Sequence, residues 1–311
     1  MRRASILRLV MLALLWGSNF LLIKVGIRGL SPVQLTLARL ALGALVLVAF
    51  VAARREPLPR TATLWGHLAI AALVANVVPY FLFGWGEQRV ASAVAGALNA
   101  TTPLFTLAIA RATGTERRMG PARSIGLLVG FVGTVVALAP WRTGALTDLG
   151  AGQLACLIAA ASYGVSYVYM RRFITGQGLP ALVLAASQLT AATVLLAVTA
   201  PVTARQPVTL TAAVVASVLA LGLLGTGAAY VINYQLIADE GATVASTVTY
   251  LLPIVALTLG TLVLKEGLSW TLFAGTALVL LGIAISEGRL PGMPSPDGQQ
   301  PATAAGHSDE A

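Results

Sequence analysis

Apolar runs of about twenty residues alternate along this chain with short clusters of Arg, Pro, Gly and other polar residues. Ten such runs can be laid down, at 5–25, 32–52, 64–84, 91–111, 120–139, 149–170, 180–200, 213–236, 241–263 and 269–287. Roughly 20 apolar residues suffice for a helix to cross a bilayer's hydrocarbon core. A helix also satisfies its own backbone hydrogen bonds there. The pattern therefore predicts an all-α membrane protein of ten transmembrane helices joined by short loops. The first run follows Arg2, Arg3 and Arg8, as a signal peptide would. It is too long for one and lacks a small-x-small cleavage site, so it is read as a retained span. Residues 288–311, rich in Pro, Gly, Gln, Ser and Asp, are expected to form a disordered C-terminal tail.

Composition agrees. Hydrophobic residues make up 57% of the 311 and charged residues 10%, with mean hydropathy +0.85. Soluble domains carry about 25% charged residues, so an ordinary solvated surface is excluded. The net charge of +9 fits arginines in cytoplasmic loops better than nucleic-acid binding. With the N-terminus inside, inner segments carry thirteen Arg and Lys residues and outer segments six, Arg39 lying within a span. Both termini are thus expected in the cytoplasm of an inner (cell) membrane protein. A single cysteine, Cys156, and two histidines, His67 and His307, cannot build a thiolate metal cluster, and they leave a histidine metal site or a Ser-His-Asp triad almost nothing to draw on. No metal or cofactor is expected.

The two halves of the chain match. Pro103 and Pro253, Glu116 and Glu266, and Tyr80 and Tyr230 each differ by 150. Gly126 and Gly133 recur as Gly275 and Gly282, and Trp16-Gly17-Ser18-Asn19-Phe20 is answered by Tyr163-Gly164-Val165-Ser166-Tyr167. The repeats are assigned to residues 5–139 and 149–287. Five helices per repeat is an odd number, so the second repeat enters the membrane from the opposite side. Inverted repeats of this kind mark secondary transporters, which bind substrate near the midplane between the halves.

The run Leu15-Trp16-Gly17-Ser18-Asn19-Phe20, Arg39, Trp85-Gly86-Glu87, the stretch Asn99-Ala100-Thr101-Thr102-Pro103-Leu104-Phe105-Thr106, Glu116 and the Gly126/Gly133 helix follow in order, with their counterparts in the second half. In this the chain resembles the EamA-type family of the drug/metabolite transporter superfamily over about residues 5–287. The resemblance implies a ten-helix bundle that moves small metabolites, usually outward. Arg39 departs from the doubled pattern, because Ser187 stands at the equivalent place.

Candidate site residues follow from polarity inside the spans. Pro103 and Pro253 lie within the fourth and ninth spans, where proline removes a hydrogen bond, so they are candidate hinges. Asn99 and Thr102 share a face of the fourth span, and Thr247 and Tyr250 a face of the ninth. Asn76 and Tyr80 on the third span answer Thr226 and Tyr230 on the eighth. Trp16 and Asn19 on the first answer Tyr163, Ser166 and Tyr167 on the sixth. Such faces line a cavity or hold helices together by hydroxyl hydrogen bonds. Arg39, about 10 Å into its helix, pairs with a substrate carboxylate, snorkels, or bonds carbonyls. Glu87 is either a solvated interfacial acid or a proton-coupling group.

The function these features point to is a secondary transporter for small metabolites such as neutral or zwitterionic amino acids, coupled to protons or a counter-substrate. Efflux of amphipathic drugs is the alternative. A membrane enzyme lacks a nucleophile constellation, and a channel does not call for doubled binding faces.

Overall fold

The computed structural model describes residues 3–114, 121–138, 150–174, 177–240, 248, 251–265, 267 and 269–286. These form a helical bundle without strands among the described residues. We number the helices α1 (Arg3–Gly26), α2 (Pro32–Ala53), α3 (Ala62–Glu87), α4 (Ser92–Asn99), α5 (Thr102–Ala112), α6 (Pro121–Leu138), α7 (Ala151–Phe173), α8 (Ala181–Thr203), α9 (Ala212–Glu240), α10 (Leu252–Leu264) and α11 (Trp270–Ser286). Seven helical stretches, from α1 to α9 and excluding α6, are long and apolar enough to cross a membrane, with α4 and α5 together making one; α10 and part of α11 are shorter apolar helices.

The faces of α1 explain the solvent it prefers. Leu12, Ala13, Gly17, Phe20 and Ile23 are buried at helical spacing. The opposite face carries Leu7, Val10, Met11 and Leu14, all exposed. A water-soluble helix would be polar there, whereas hydrocarbon accepts it. Similar outward rows recur at Leu154, Ile158 and Val165 on α7 and at Val194, Val198 and Val202 on α8.

Local chemistry sets the ends. Ser31 caps α2 with a reciprocal box, Gln34 N to Ser31 Oγ at 3.3 Å and Ser31 N to Gln34 Oε1 at 2.8 Å. Thr61 and Thr211 cap α3 and α9. Lys24 closes the far end of α3, its Nζ donating to the carbonyls of Glu87 at 2.5 Å and Val90 at 2.6 Å. A cation is favoured at a helix C-terminus because the last carbonyls are unpaired.

The fourth expected span is divided. Between α4 and α5 the chain turns at Ala100 and Thr101, and Thr101 Oγ1 donates to Leu98 O at 2.6 Å. Pro103 then lies in the first turn of α5, as Pro253 does in α10. A first-turn proline loses no helical hydrogen bond, so both prolines begin a helix rather than kink one. Two further irregularities match between halves. Helix α3 passes through a π-helical stretch, Leu73–Val77, and α9 through another, Ala220–Ala228.

Contacts between the halves come in corresponding pairs. Helix α1 packs on α9 and α10, while its counterpart α7 packs on α3 and α5; α2 packs on α8, and α6 on α11. At the α6/α11 crossing the backbones nearly touch. A Cβ on Gly133 would lie 2.9 Å from the Gly275 carbonyl, and one on Gly282 would lie 2.5 Å from the Gly126 carbonyl. As numbering rises on one helix it falls on the other, so the two run antiparallel. Only glycine allows so close an approach.

Candidate functional site

The polar residues inside the bundle converge on the two π-helical stretches. A π turn displaces the hydrogen-bond ladder and often accompanies function. On α3, the Val74 carbonyl accepts from Ser162 Oγ of α7 at 2.7 Å. Asn76, on the same stretch, is fully buried. Its Nδ2 donates to Tyr230 Oη at 2.7 Å, and its Oδ1 accepts from Gln188 Nε2 of α8 at 2.7 Å. Tyr230 in turn meets Trp16 edge-on, with ring centroids 6.4 Å apart.

On α9, Thr226 takes the equivalent place. Arg39 of α2 donates to its Oγ1 from Nε at 3.3 Å and from Nη2 at 3.2 Å. The guanidinium also lies over Tyr80, 3.8 Å from the ring centroid. Arg39 is only 3% exposed, which rules out snorkelling to an interface. No carboxylate pairs with it among the described residues. A guanidinium has five N–H donors, and a single hydroxyl meets only part of that capacity. Asn19 Oδ1 lies against Gly225, next to Thr226, and accepts no hydrogen bond among the described residues.

The aromatic wall comes from α7. Tyr163 stacks on Phe83 with centroids 6.1 Å apart, and Phe83 meets Phe20 edge-on at 5.5 Å. Tyr163 is also within electrostatic range of Tyr80, Arg39 and Tyr167. Tyr167 shares its face of α7 and stands opposite the outward Ile158 and Val165. It is nevertheless 42% exposed, so that exposure opens toward the inside of the bundle.

The structure thus gathers Trp16, Asn19, Arg39, Asn76, Tyr80, Tyr163, Tyr167 and Tyr230 around α3 and α9. Asn99 and Thr102 form a separate pair across the α4/α5 turn, Thr102 Oγ1 donating to Asn99 Oδ1 at 3.3 Å. Thr247 and Tyr250 lie outside the described residues. Glu87 is not a solvated interfacial acid. It is 0% exposed, enclosed by Lys24 and by the Cys156 side of α7, and about 10 Å along α3 from Tyr80. Gln188 and Ser187 are missing from the residues expected on sequence grounds. Both are 1% exposed, and Gln188 Oε1 and Ser187 Oγ accept no hydrogen bond among the described residues. The available signal was the one amide in the seventh span, since burying an amide is unfavourable unless it is bonded.

Comparison with known proteins adds an independent line. The profile described as the EamA-like transporter family matches residues 3–139 and again 150–287. The uncharacterized inner membrane transporter YedA of Escherichia coli K12 is 26% identical over 277 residues, covering 88% of this chain and 87% of that protein. The uncharacterized transporter YdfC of Bacillus subtilis is 26% identical over 274 residues, covering 88% and 85%. A chloroplastic WAT1-related protein of Arabidopsis thaliana is 26% identical over 275 residues, covering 86% and 66%. A solved crystal structure shares the fold with a TM-score of 0.66 at 23% identity, covering 92% of this chain and 98% of its own.

Proposed function

The chain belongs to the EamA-like transporter family, and from that membership we propose that it is a secondary transporter carrying a small metabolite across the cell membrane by alternating access between two inverted five-helix halves. The observation that carries this reading is the convergence of both halves on the paired π-helical stretches. Asn76 and Thr226 occupy equivalent positions there, and each is bonded to a residue from the other half. Substrate at that junction touches both halves at once, which a rocking carrier requires. Support for the inversion comes from the antiparallel α6/α11 crossing. A two-fold axis along the membrane normal would leave these counterparts parallel.

The substrate class is a neutral or zwitterionic metabolite of amino-acid size, exported outward. Aromatic faces supply apolar area, and the amide, hydroxyl and guanidinium groups fix orientation. A multiply anionic substrate is disfavoured, because Arg39 is the one cation among the groups gathered around the π-helical stretches. Glu87 is the candidate for proton coupling, as a fully buried carboxyl. The asymmetry of Arg and Lys between loops supports a cytoplasmic place for both termini.

The test is counterflow in proteoliposomes. Purified full-length protein is loaded with one unlabelled solute from a panel of amino acids, small carboxylates and amines, and the same solute is supplied outside with label. Transient accumulation above equilibrium, for at least one panel member, is the expected result. Flux that only equilibrates indicates a channel, and no flux above empty liposomes for any member contradicts the reading.

A further inference from the structure

The two halves are alike in backbone and opposite in hydrogen-bonding character where they meet. At Arg39 the first half presents donors only, since a guanidinium accepts nothing. At the repeat-equivalent place the second half has Ser187, followed by Gln188. Ser187 Oγ and Gln188 Oε1 are buried and accept no hydrogen bond among the described residues. In the structure the Gln188 amide gives its Nε2 to Asn76 Oδ1 at 2.7 Å. Asn76 is held in turn by donating to Tyr230. In this arrangement the Gln188 oxygen is an acceptor without a donor among the described residues.

Both poles border one apolar cluster. It contains Leu40, adjacent to Arg39, together with Tyr80, Ala186 and Leu189, which flank Ser187 and Gln188. Tyr163 and Tyr230 pack against the same cluster, and the helices bearing the poles, α2 and α8, are in direct contact. Buried donors and acceptors without partners are unfavourable in a low-dielectric interior. A ligand that satisfies both recovers part of that cost, less its own desolvation.

We propose that Arg39 and Gln188 are the two poles of a zwitterion site, Arg39 taking a substrate carboxylate and Gln188 Oε1, aided by Ser187 Oγ, taking its ammonium. This rests on the transporter reading and deepens it. In the structure Thr226 Oγ1 holds the place on Arg39 that the carboxylate would take. The substrate's apolar part lies against Tyr80 and Tyr163. Because the poles differ between otherwise equivalent halves, a symmetric fold binds its substrate in one orientation only. The site selects molecules bearing both charges over those bearing one.

The experiment measures competition in counterflow with the full chain in liposomes, using phenylalanine, phenethylamine and 3-phenylpropanoate, which share a side chain and differ in their charged ends. For the wild type, phenylalanine should inhibit at a concentration about tenfold or more below either analogue, the usual worth of one charge-assisted hydrogen bond. Arg39→Gln should weaken phenylalanine and phenylpropanoate about tenfold and leave phenethylamine unchanged. Gln188→Leu should weaken phenylalanine and phenethylamine and leave phenylpropanoate unchanged. Where these variants fold poorly, Arg39→Lys and Gln188→Glu preserve bulk, and the second should strengthen phenethylamine. Equal weakening of all three compounds by both variants, or a wild type that ranks the single-charge compounds level with phenylalanine, overturns the two-pole assignment with transport intact. Counterflow of no solute at all contradicts the transporter reading instead.

Discussion

Asn76 of the first half donates to Tyr230 of the second at 2.7 Å, and their repeat counterparts, Thr226 and Tyr80, are joined differently, through Arg39. The same place in the fold therefore carries a neutral bond on one side and a guanidinium bridge on the other. Duplication supplied the scaffold, and divergence at Arg39 and Ser187 made its two sides chemically distinct.

Removing the amide of Asn76 takes one hydrogen bond from the buried Gln188 and one from the partly buried Tyr230. Asn76→Ala should lower stability by about 2–4 kcal/mol, since each group left without its bond costs roughly 1–3 kcal/mol. Thermal unfolding in detergent should show the melting temperature falling. An unchanged midpoint would mean that Gln188 and Tyr230 find other partners.

The α6/α11 crossing makes a prediction about direction. In a Cys156→Ala background, spin labels on the exposed Ile125→Cys and Leu281→Cys should lie closer together than labels on Ile125→Cys and Trp270→Cys. The reverse order would mean parallel helices and would remove the support for inversion. Bulkier changes such as Gly282→Leu should destabilise by about 1–3 kcal/mol, because there is no room for a side chain beside the Gly126 carbonyl.

Much of the fold was legible because hydrocarbon imposes length and apolarity on every span. The ends of α1 and α2 fall within a few residues of the apolar runs, and the doubled Tyr80/Tyr230 and Asn76/Thr226 spacing pointed to residues that the structure joins. The π-helical stretches were not legible. Ala220–Ala228 contains Gly222, Gly225 and Gly227, and Pro79 follows Leu73–Val77, but a glycine or proline within a span does not say which turn widens. The turn at Ala100 was not legible either, because sequence alone does not say whether Pro103 sits inside a helix as a hinge or opens one. For Glu87 the sequence leaves an interfacial place open, because it follows Trp85 at the end of its span. Lys24, 63 residues earlier, covers that end of α3. Gln188 was passed over because its partner lies 112 residues away.

Proton coupling through Glu87 predicts a separable defect. Glu87→Gln should keep counterflow, which needs no net driving force, and lose accumulation driven by a pH gradient. Loss of both would assign Glu87 a structural role at the end of α3. Retention of both would place the coupling group elsewhere.

Topology follows from the distribution of charge. Reporter fusions at Arg60 and Arg118 should report cytoplasm, and a fusion at Arg142 the exterior. An exterior signal at Arg118 would reverse the arrangement.

The most direct measurement of the central claim uses one position that faces the interior and one that faces lipid. Tyr167→Cys and Ile158→Cys, each in the Cys156→Ala background, are treated with a membrane-impermeant thiol reagent in right-side-out and inverted vesicles. Alternating access predicts that Tyr167→Cys reacts from both sides, more slowly when the transported solute is present, and that Ile158→Cys reacts from neither. Reaction at Ile158→Cys with silence at Tyr167→Cys, or reaction at Tyr167→Cys from one side alone under every condition, would contradict it.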